Sequence, residues 1–137
     1  TLGYIFLFLA VVIVAPIGEE IVFRGFLQRY LEEYWADVTR AVLITSLFFA
    51  MIHFNPFWII QIYMLGVILG FLAWQTKSVI PSILLHIINN GSAFILANIG
   101  EDTIDFYLWN DMVSPIFILF AIFLIYKGLD GIKLKKV

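Results

Sequence analysis

The stretch LGYIFLFLAVVIVAPIGEEIVFRGFLQRYLEEY, residues 2–34, decides the fold of this chain. Its first half is an uncharged apolar run that closes near Pro16 and Gly18, and its second half continues in helix-compatible residues that carry charge. A membrane cannot hydrogen-bond to an exposed backbone, and a long apolar run without period-two alternation favours a helix over a strand. We therefore predict one long helix, kinked near the proline.

The composition of the whole chain also favours a membrane protein. Of the 137 residues, 63% are hydrophobic and 13% are charged, whereas about one quarter of a soluble domain is charged. The chain has no cysteine, which excludes disulfides, cysteine nucleophiles and thiolate metal sites. A net charge of −2 gives no indication of a nucleic-acid partner, and we expect none. We predict a multi-pass integral membrane protein with membrane lipid around it.

Four further apolar segments follow the first helix. The second helix ends at Asn55 and Pro56, because proline disfavours helix in the residue before it. The fourth has Pro81 in its first turn, where the missing N–H costs nothing, and Ser78 is its expected cap. The predicted ranges of these four helices are 41–54, 57–74, 81–99 and 112–126.

The predicted fold is therefore all-α, a polytopic transmembrane helical bundle with about five membrane helices. We expect residues 1–137 to form a single membrane-embedded domain with its motif core at residues 16–99. The chain begins with Thr1 and runs at once into apolar sequence, which suggests that upstream helices are missing. In the third helix, Gly66 and Gly70 predict close packing through small residues.

The loop charges predict the orientation of the bundle. When the loops are placed alternately on two sides of the bilayer, the basic residues all fall on one side, which should be cytoplasmic. These residues are Arg29, Arg40, Lys77, Lys127, Lys133, Lys135 and Lys136. The opposite side carries Glu101, Asp102, Asp105 and Asp111.

Ionisable residues are costly inside a membrane, so we expect those in the first helix to have an interaction partner or a functional role. Glu20 and Arg24 are four residues apart and share a helix face, so we expect them to form an ion pair. Glu19 lies about 100° round the helix without such a partner. Burial disfavours the charged form of an unpaired carboxylate, which suits a proton acceptor. The simpler interpretation is that this group only marks the helix emerging into the headgroups.

Both histidines of the chain, His53 and His86, fall inside predicted apolar helices. Asn90 follows His86 by four residues, so both side chains point the same way, whereas packing suffices to explain Phe49, four residues before His53. Counting about 1.5 Å per residue from the basic end of each helix places Glu19, His53, His86 and Asn90 roughly 12–20 Å deep. We therefore predict a shared polar site within the membrane.

Three motifs follow one another on successive predicted helices. They are Glu19-Glu20-x-x-x-Arg24, Phe49-x-x-x-His53 and His86-x-x-x-Asn90. In this order and spacing they resemble the CAAX prenyl protease and bacteriocin-processing family, also called the abortive-infection family. The resemblance covers about residues 16–99.

The resemblance implies a glutamate-dependent intramembrane endopeptidase whose cavity opens to the cytoplasm and whose substrate is a peptide or a lipidated protein. By position, Glu19 matches the catalytic base and His53 the residue that helps to hold and activate the attacking water. His86 and Asn90 match the groups that bind the oxyanion. Glu20 and Arg24 match the rest of the first motif, as a supporting pair. The resemblance implies no cofactor.

Two alternatives stay open. Glu19, His53 and His86 are a possible donor set for a catalytic zinc with water as the fourth ligand. We expect catalysis without metal, because zinc would occupy His86 and leave Asn90 without an evident partner. The second alternative is a non-proteolytic membrane protein, such as an immunity factor or a proton-coupled transporter. A transporter normally has more helices and an internal repeat.

Overall fold

The computed structural model describes residues 2–98, 108–109 and 112–131. The chain divides into two compact units, Thr1–Ile95 and Leu96–Val137. All six predicted site residues lie in the first unit. The single domain predicted for residues 1–137 stays a prediction.

Helices make up nearly all of the described chain, which confirms the all-helical fold class. Four helices account for the first unit: α1 (Leu2–Trp35), α2 (Val38–Met51), α3 (Ile59–Thr76) and α4 (Ile80–Leu96). The second unit contains β1 (Leu108–Trp109), β2 (Met112–Val113) and α5 (Pro115–Gly131). The two short strands pair antiparallel, with Leu108 opposite Val113. The fifth helix was predicted to begin at residue 112, but residues 112–113 belong to β2.

Two of the helices, α1 and α3, are long and apolar enough to cross a membrane. Only 17% and 22% of their most apolar windows are buried inside the protein, whereas the core helix of a soluble protein is mostly buried. Shorter apolar helices occur at Val38–Met51, Ile80–Leu96 and Ile118–Gly128. The number of five spans therefore stays a prediction, whereas the apolar surface expected of a membrane protein is present.

The long first helix is confirmed as one continuous element, but its winding is not α-helical throughout. Two stretches, Leu9–Val14 and Ile21–Gln28, are π-helical. The first leads into Pro16, which cannot donate a backbone hydrogen bond. Wider π-helical turns are a common way for a helix to absorb such a break. The predicted kink near Pro16 stays a prediction.

The second helix is displaced towards the N-terminus relative to its predicted range of 41–54. It begins at Val38, because the Asp37 carboxylate accepts the backbone N–H of Arg40 at 3.0 Å and caps the helix. It ends at Met51, before Asn55 and Pro56. His53 therefore lies in the turn after α2 and not inside a helix, which corrects the expectation that both histidines are helical.

The predicted close packing of α3 through its glycines is confirmed. A Cβ added to Gly66 would lie 3.1 Å from Ser46 Cβ, and one added to Gly70 would lie 2.7 Å from Gln28 Oε1. The two glycines face α2 and α1 respectively. They allow the backbone of α3 to approach both helices, which brings its carbonyl groups within reach of the polar side chains of α1. At the start of α4, Ser78 Oγ accepts the N–H of Ile80, as expected of a cap.

Candidate active site

Glu20 is the centre of a buried polar cluster. Its Oε1 accepts a hydrogen bond from Arg24 Nη1 at 2.7 Å and lies 2.9 Å from His86 Nδ1. All three side chains are enclosed, with exposures of 0%, 1% and 2% for Glu20, Arg24 and His86. Because an ionised carboxylate can only accept, the Nδ1 atom of His86 carries the proton. The expected Glu20–Arg24 pair is thus present, and it has a third member from α4.

Arg24 is held in place by groups beyond Glu20. Its Nη2 donates to the backbone carbonyl of Gly66 at 3.0 Å, and its guanidinium lies 4.3 Å from the centre of the Phe49 ring. An arginine can serve a carboxylate, a carbonyl and an aromatic face together, because its donors spread over a planar fork. The pair is therefore built into the packing of α1 against α2 and α3.

One turn further along α1, Gln28 repeats this arrangement. Its Nε2 donates to the carbonyl of Gly70 at 3.0 Å and to Glu32 at 2.8 Å, and its side chain is 1% exposed. Gln28 was not predicted as a site residue, and no functional role was predicted for α3. The sequence contains a signal for this contact, because Arg24 and Gln28 are four residues apart and so are Gly66 and Gly70.

Glu19 lies at the open edge of the same cluster. Its side chain is 27% exposed, and its Oε2 atom is 3.7 Å from His86 Nε2. Among the described residues, this buried oxygen has no hydrogen-bond partner, and the same holds for Oε2 of Glu20. The two neighbouring glutamates thus differ sharply: the carboxylate of Glu20 is enclosed by a guanidinium and an imidazole, while that of Glu19 has one loose neighbour and access to the surroundings.

The charges of this cluster do not balance unless His86 takes part. Two carboxylates, of Glu19 and Glu20, face one guanidinium, of Arg24. An imidazolium at His86 would make the group neutral, with one N–H directed at each carboxylate. Burying a charge without compensation is costly, which explains why each carboxylate lies beside Arg24 or His86.

Phe49 connects the two histidines. Its buried ring lies 4.9 Å from the His53 ring and 5.6 Å from the His86 ring, each in an edge-to-face arrangement. Phe23 packs against it at 5.4 Å in the same geometry. The expectation that Phe49 is a packing residue is correct, but the groups against which it packs are Arg24 and both histidines.

His53 is exposed, and its ring orientation is set by its own backbone. The Nδ1 atom lies 2.7 Å from the carbonyl oxygen of Phe49, so Nδ1 donates and Nε2 is left with a free lone pair when the ring is neutral. Together with Asn90, His53 lines a cavity of about 450 Å³ between the α2–α3 turn, α3 and α4. Within the described residues, His53 forms neither a hydrogen bond nor an ion pair with Glu19.

Asn90 reaches back to α1. Its Nδ2 donates to the carbonyl oxygen of Val11 at 3.1 Å, and its Oδ1 accepts from Asn89 at 3.3 Å. His86 and Asn90 therefore share a helix face, as predicted, and both contact α1. They are nevertheless not directed at one common point, because His86 faces the two glutamates and Asn90 faces a backbone carbonyl.

A zinc site is not assembled from the predicted donors. Among the residues that the structure describes, no three His, Asp or Glu side chains are arranged to hold a metal ion. The two nitrogens of His86 face different carboxylates, and Nδ1 of His53 is engaged by a backbone carbonyl. Asn90 binds the backbone carbonyl of Val11. The expectation that a zinc ion would leave Asn90 without a partner is therefore wrong, and only the positions of the donor atoms disfavour zinc.

The comparison with known protein families agrees with the motifs. A family model described as type II CAAX prenyl endopeptidase Rce1-like matches residues 1–92. The match includes α1, α2, α3 and the part of α4 that carries His86 and Asn90. No curated protein and no solved structure matches the chain. Such endopeptidases are membrane-integral proteases, so the match supports peptidase activity in general. The resemblance drawn from the three motifs is thereby confirmed, and the chain belongs to the type II CAAX prenyl endopeptidase Rce1-like family.

Proposed function

We propose that this protein is a glutamate-dependent intramembrane endopeptidase that hydrolyses a peptide bond in a membrane-associated or prenylated substrate. Family membership supports the protease class. The observation that carries glutamate dependence is the contrast between two adjacent carboxylates in one buried cluster. The Glu20 side chain is 0% exposed and is bound through Oε1 by Arg24 and His86, whereas the Glu19 side chain is 27% exposed and lies 3.7 Å from His86. In each carboxylate the Oε2 atom has no hydrogen-bond partner among the described residues.

In this proposal Glu19 is the general base. It accepts a proton from a water molecule, whose oxygen then attacks the carbonyl carbon of the substrate. When the C–N bond breaks, the same proton passes to the leaving amine, and Glu19 is ionised again. Glu20 is unsuited to this role, because its Oε1 already serves Arg24 and His86.

His53 is proposed to hold the attacking water. Its Nδ1 is tied to Phe49, so the free lone pair on Nε2 can accept a hydrogen bond from water in the cavity. Because catalytic hydrogen bonds often tighten only when substrate is bound, the absence of a direct contact with Glu19 is compatible with this role.

His86 and Asn90 are proposed to stabilise the oxyanion. After the contacts with Glu20 and Val11, the groups left for this role are the Nε2 side of the His86 ring, 3.7 Å from Glu19, and the second N–H of the Asn90 amide. Fixed donors of this kind, aimed at the charge that develops in the transition state, are usually the largest single contribution to catalysis.

The cavity beside His53 and Asn90 is the proposed substrate site. Its volume of about 450 Å³ lies in the range of small-molecule and peptide side-chain pockets. Trp58, Ile62 and Leu65 supply apolar walls, and Gln61 supplies an amide that can pair with a peptide backbone. This combination suits a peptide that enters from the membrane.

A cleavage assay with the full-length protein in liposomes tests the proposal. The probes are a farnesylated peptide ending in a CAAX sequence and the same peptide without the lipid, with products identified by mass spectrometry. We expect Glu19→Gln to lower the cleavage rate by about 10²–10⁴-fold, since it removes the general base. Membrane insertion and thermal unfolding should stay unchanged. Full activity of Glu19→Gln would disprove glutamate dependence.

We further propose that the active site opens to the cytoplasm, because the loop Lys and Arg residues fall on one side. Several charges behind this proposal lie outside the described residues: Glu101, Asp102, Asp105, Asp111, Lys133, Lys135 and Lys136. The chain has no native cysteine, so Asp105→Cys and Lys135→Cys give clean single-site labels. We expect a membrane-impermeant maleimide to label Asp105→Cys in intact cells and Lys135→Cys only in inside-out membrane vesicles. Labelling of both from one side would disprove the topology.

A further inference from the structure

The hydrogen bond between Asn90 and Val11 has a cause in the winding of α1. The backbone N–H of Ala15 donates to the carbonyl of Ala10, five residues earlier, which is the π-helical register. In that register the next donor, at residue 16, would serve the carbonyl of Val11. Residue 16 is proline and has no N–H. The helix therefore leaves the Val11 carbonyl without a backbone donor.

A free carbonyl at this position has to find another donor, because lipid offers none. Asn90 supplies it from α4, with Nδ2 at 3.1 Å from the Val11 oxygen. The two helices lie close at this level: a Cβ added to the next residue, Gly91, would be 3.4 Å from a methyl carbon of Val12. The contact thus pairs the Val11 carbonyl with one side-chain donor from α4.

We propose that Pro16 is a positioning residue for Asn90. By withholding an N–H from Val11, it frees the carbonyl that orients the Asn90 amide. With one N–H engaged by Val11 and Oδ1 engaged by Asn89, the second N–H of Asn90 has a set direction. The catalytic consequence rests on the proposed function, in which this N–H is an oxyanion donor.

This arrangement makes Asn90 different from an ordinary helix-surface asparagine. A free amide samples several rotamers, and ordering it during the reaction would cost entropy. An amide already held by a backbone carbonyl needs no reorganisation when the oxyanion forms. Pro16 is buried and lies three residues before Glu19 on the same helix, so its effect on catalysis has to be tested by a measurement at Asn90 itself as well as by the cleavage rate.

The test replaces Pro16 with alanine, which restores an N–H that competes with Asn90 for Val11. The chain has five asparagines, so the full-length protein labelled with ¹⁵N-asparagine gives a simple spectrum of side-chain amides in detergent micelles. Asn90→Asp assigns the Asn90 signals by their loss. Pro81→Ala is the matched control, because Pro81 lies in the first turn of α4, where an added N–H competes for no helical carbonyl.

In the unaltered protein we expect one Asn90 amide proton to exchange with solvent at least tenfold more slowly than those of the exposed Asn55, whose Nδ2 makes no hydrogen bond within the described residues. In Pro16→Ala, Asn90 should match Asn55 in exchange, while Pro81→Ala leaves it protected. In the peptide assay, kcat of Pro16→Ala should fall about tenfold with KM changed less than twofold, since the donor is misplaced but substrate binding is not.

Unprotected Asn90 amide protons in the unaltered protein would overturn the proposal without any variant, so a Pro16→Ala protein that fails to fold does not prevent the test. Unchanged Asn90 signals in Pro16→Ala would also overturn it. A changed amide with an unchanged kcat would disprove the positioning role while leaving the contact in place. If the unaltered protein cleaves no peptide, the proposed function fails, and the exchange data still decide whether Pro16 orients Asn90.

Discussion

Two adjacent glutamates of α1 occupy opposite environments. Glu20 faces inward, where it binds Arg24 and His86 and so joins α1 to α4. Glu19 lies at the edge of the cluster, and its side chain is 27% exposed. The difference separates a carboxylate that joins helices from one that, in the proposed mechanism, is available as the general base.

The largest expected effect on stability concerns the enclosed side of this comparison. Arg24→Ala would leave Glu20 buried without its cation, and breaking a buried pair typically costs about 3–5 kcal/mol. We expect the free energy of unfolding, measured in detergent, to fall by about that amount. Arg29→Ala is the matched control on the same helix, because Arg29 is exposed and makes one long hydrogen bond. Equal losses in both variants would refute the structural role of the pair.

A smaller effect is expected where α3 approaches the cluster. Gly70→Ala places a methyl group 2.7 Å from Gln28 Oε1, so the two helices must separate or Gln28 must move. Overpacking of this kind costs about 1–3 kcal/mol. Gly18→Ala is the control, since a Cβ there meets nothing within 4 Å, and alanine favours helix over glycine by up to about 1 kcal/mol. The thermal midpoint should fall for Gly70→Ala alone.

The smallest expected effect is that of metal removal. Because the described His, Asp and Glu side chains do not converge on a metal site, dialysis against a chelator should leave the peptide-cleaving rate within about twofold of its starting value. Elemental analysis of the active protein should accompany the assay. Stoichiometric zinc, with activity that is lost on chelation and restored by zinc, would mean that the nucleophile is a metal-bound water and not a water activated by Glu19 alone.

Local spacing accounts for what sequence analysis predicted correctly in the fold. The continuous first helix, the cap at Ser78 and the break before Asn55 and Pro56 follow from hydropathy and from the backbone preferences of single residues. The boundary of α2 was wrong by three residues at each end, because Asp37 caps the helix earlier and the chain turns before the proline is reached. That error moved His53 from a helix to a turn.

The contacts of the candidate site also fall into those that the sequence predicts and those that it does not. The Glu20–Arg24 contact was predictable, since two side chains four residues apart on a helix meet whatever surrounds them. The family also followed from sequence, because its three motifs are local patterns. The contact of His86 with Glu20 joins residues 66 positions apart, and no local spacing contains it.

The sequence by itself determined a helical membrane protein, its family and the residues that bear charge inside it. Only the tertiary structure decided which of the two glutamates is enclosed, that Gly66 and Gly70 lend their carbonyls to Arg24 and Gln28, and that Asn90 reaches Val11. The physical reason is that these contacts depend on how closely the helices approach and on where the π-helical turns rotate the faces of α1. Packing of the whole unit sets both quantities, whereas spacing along one helix sets neither.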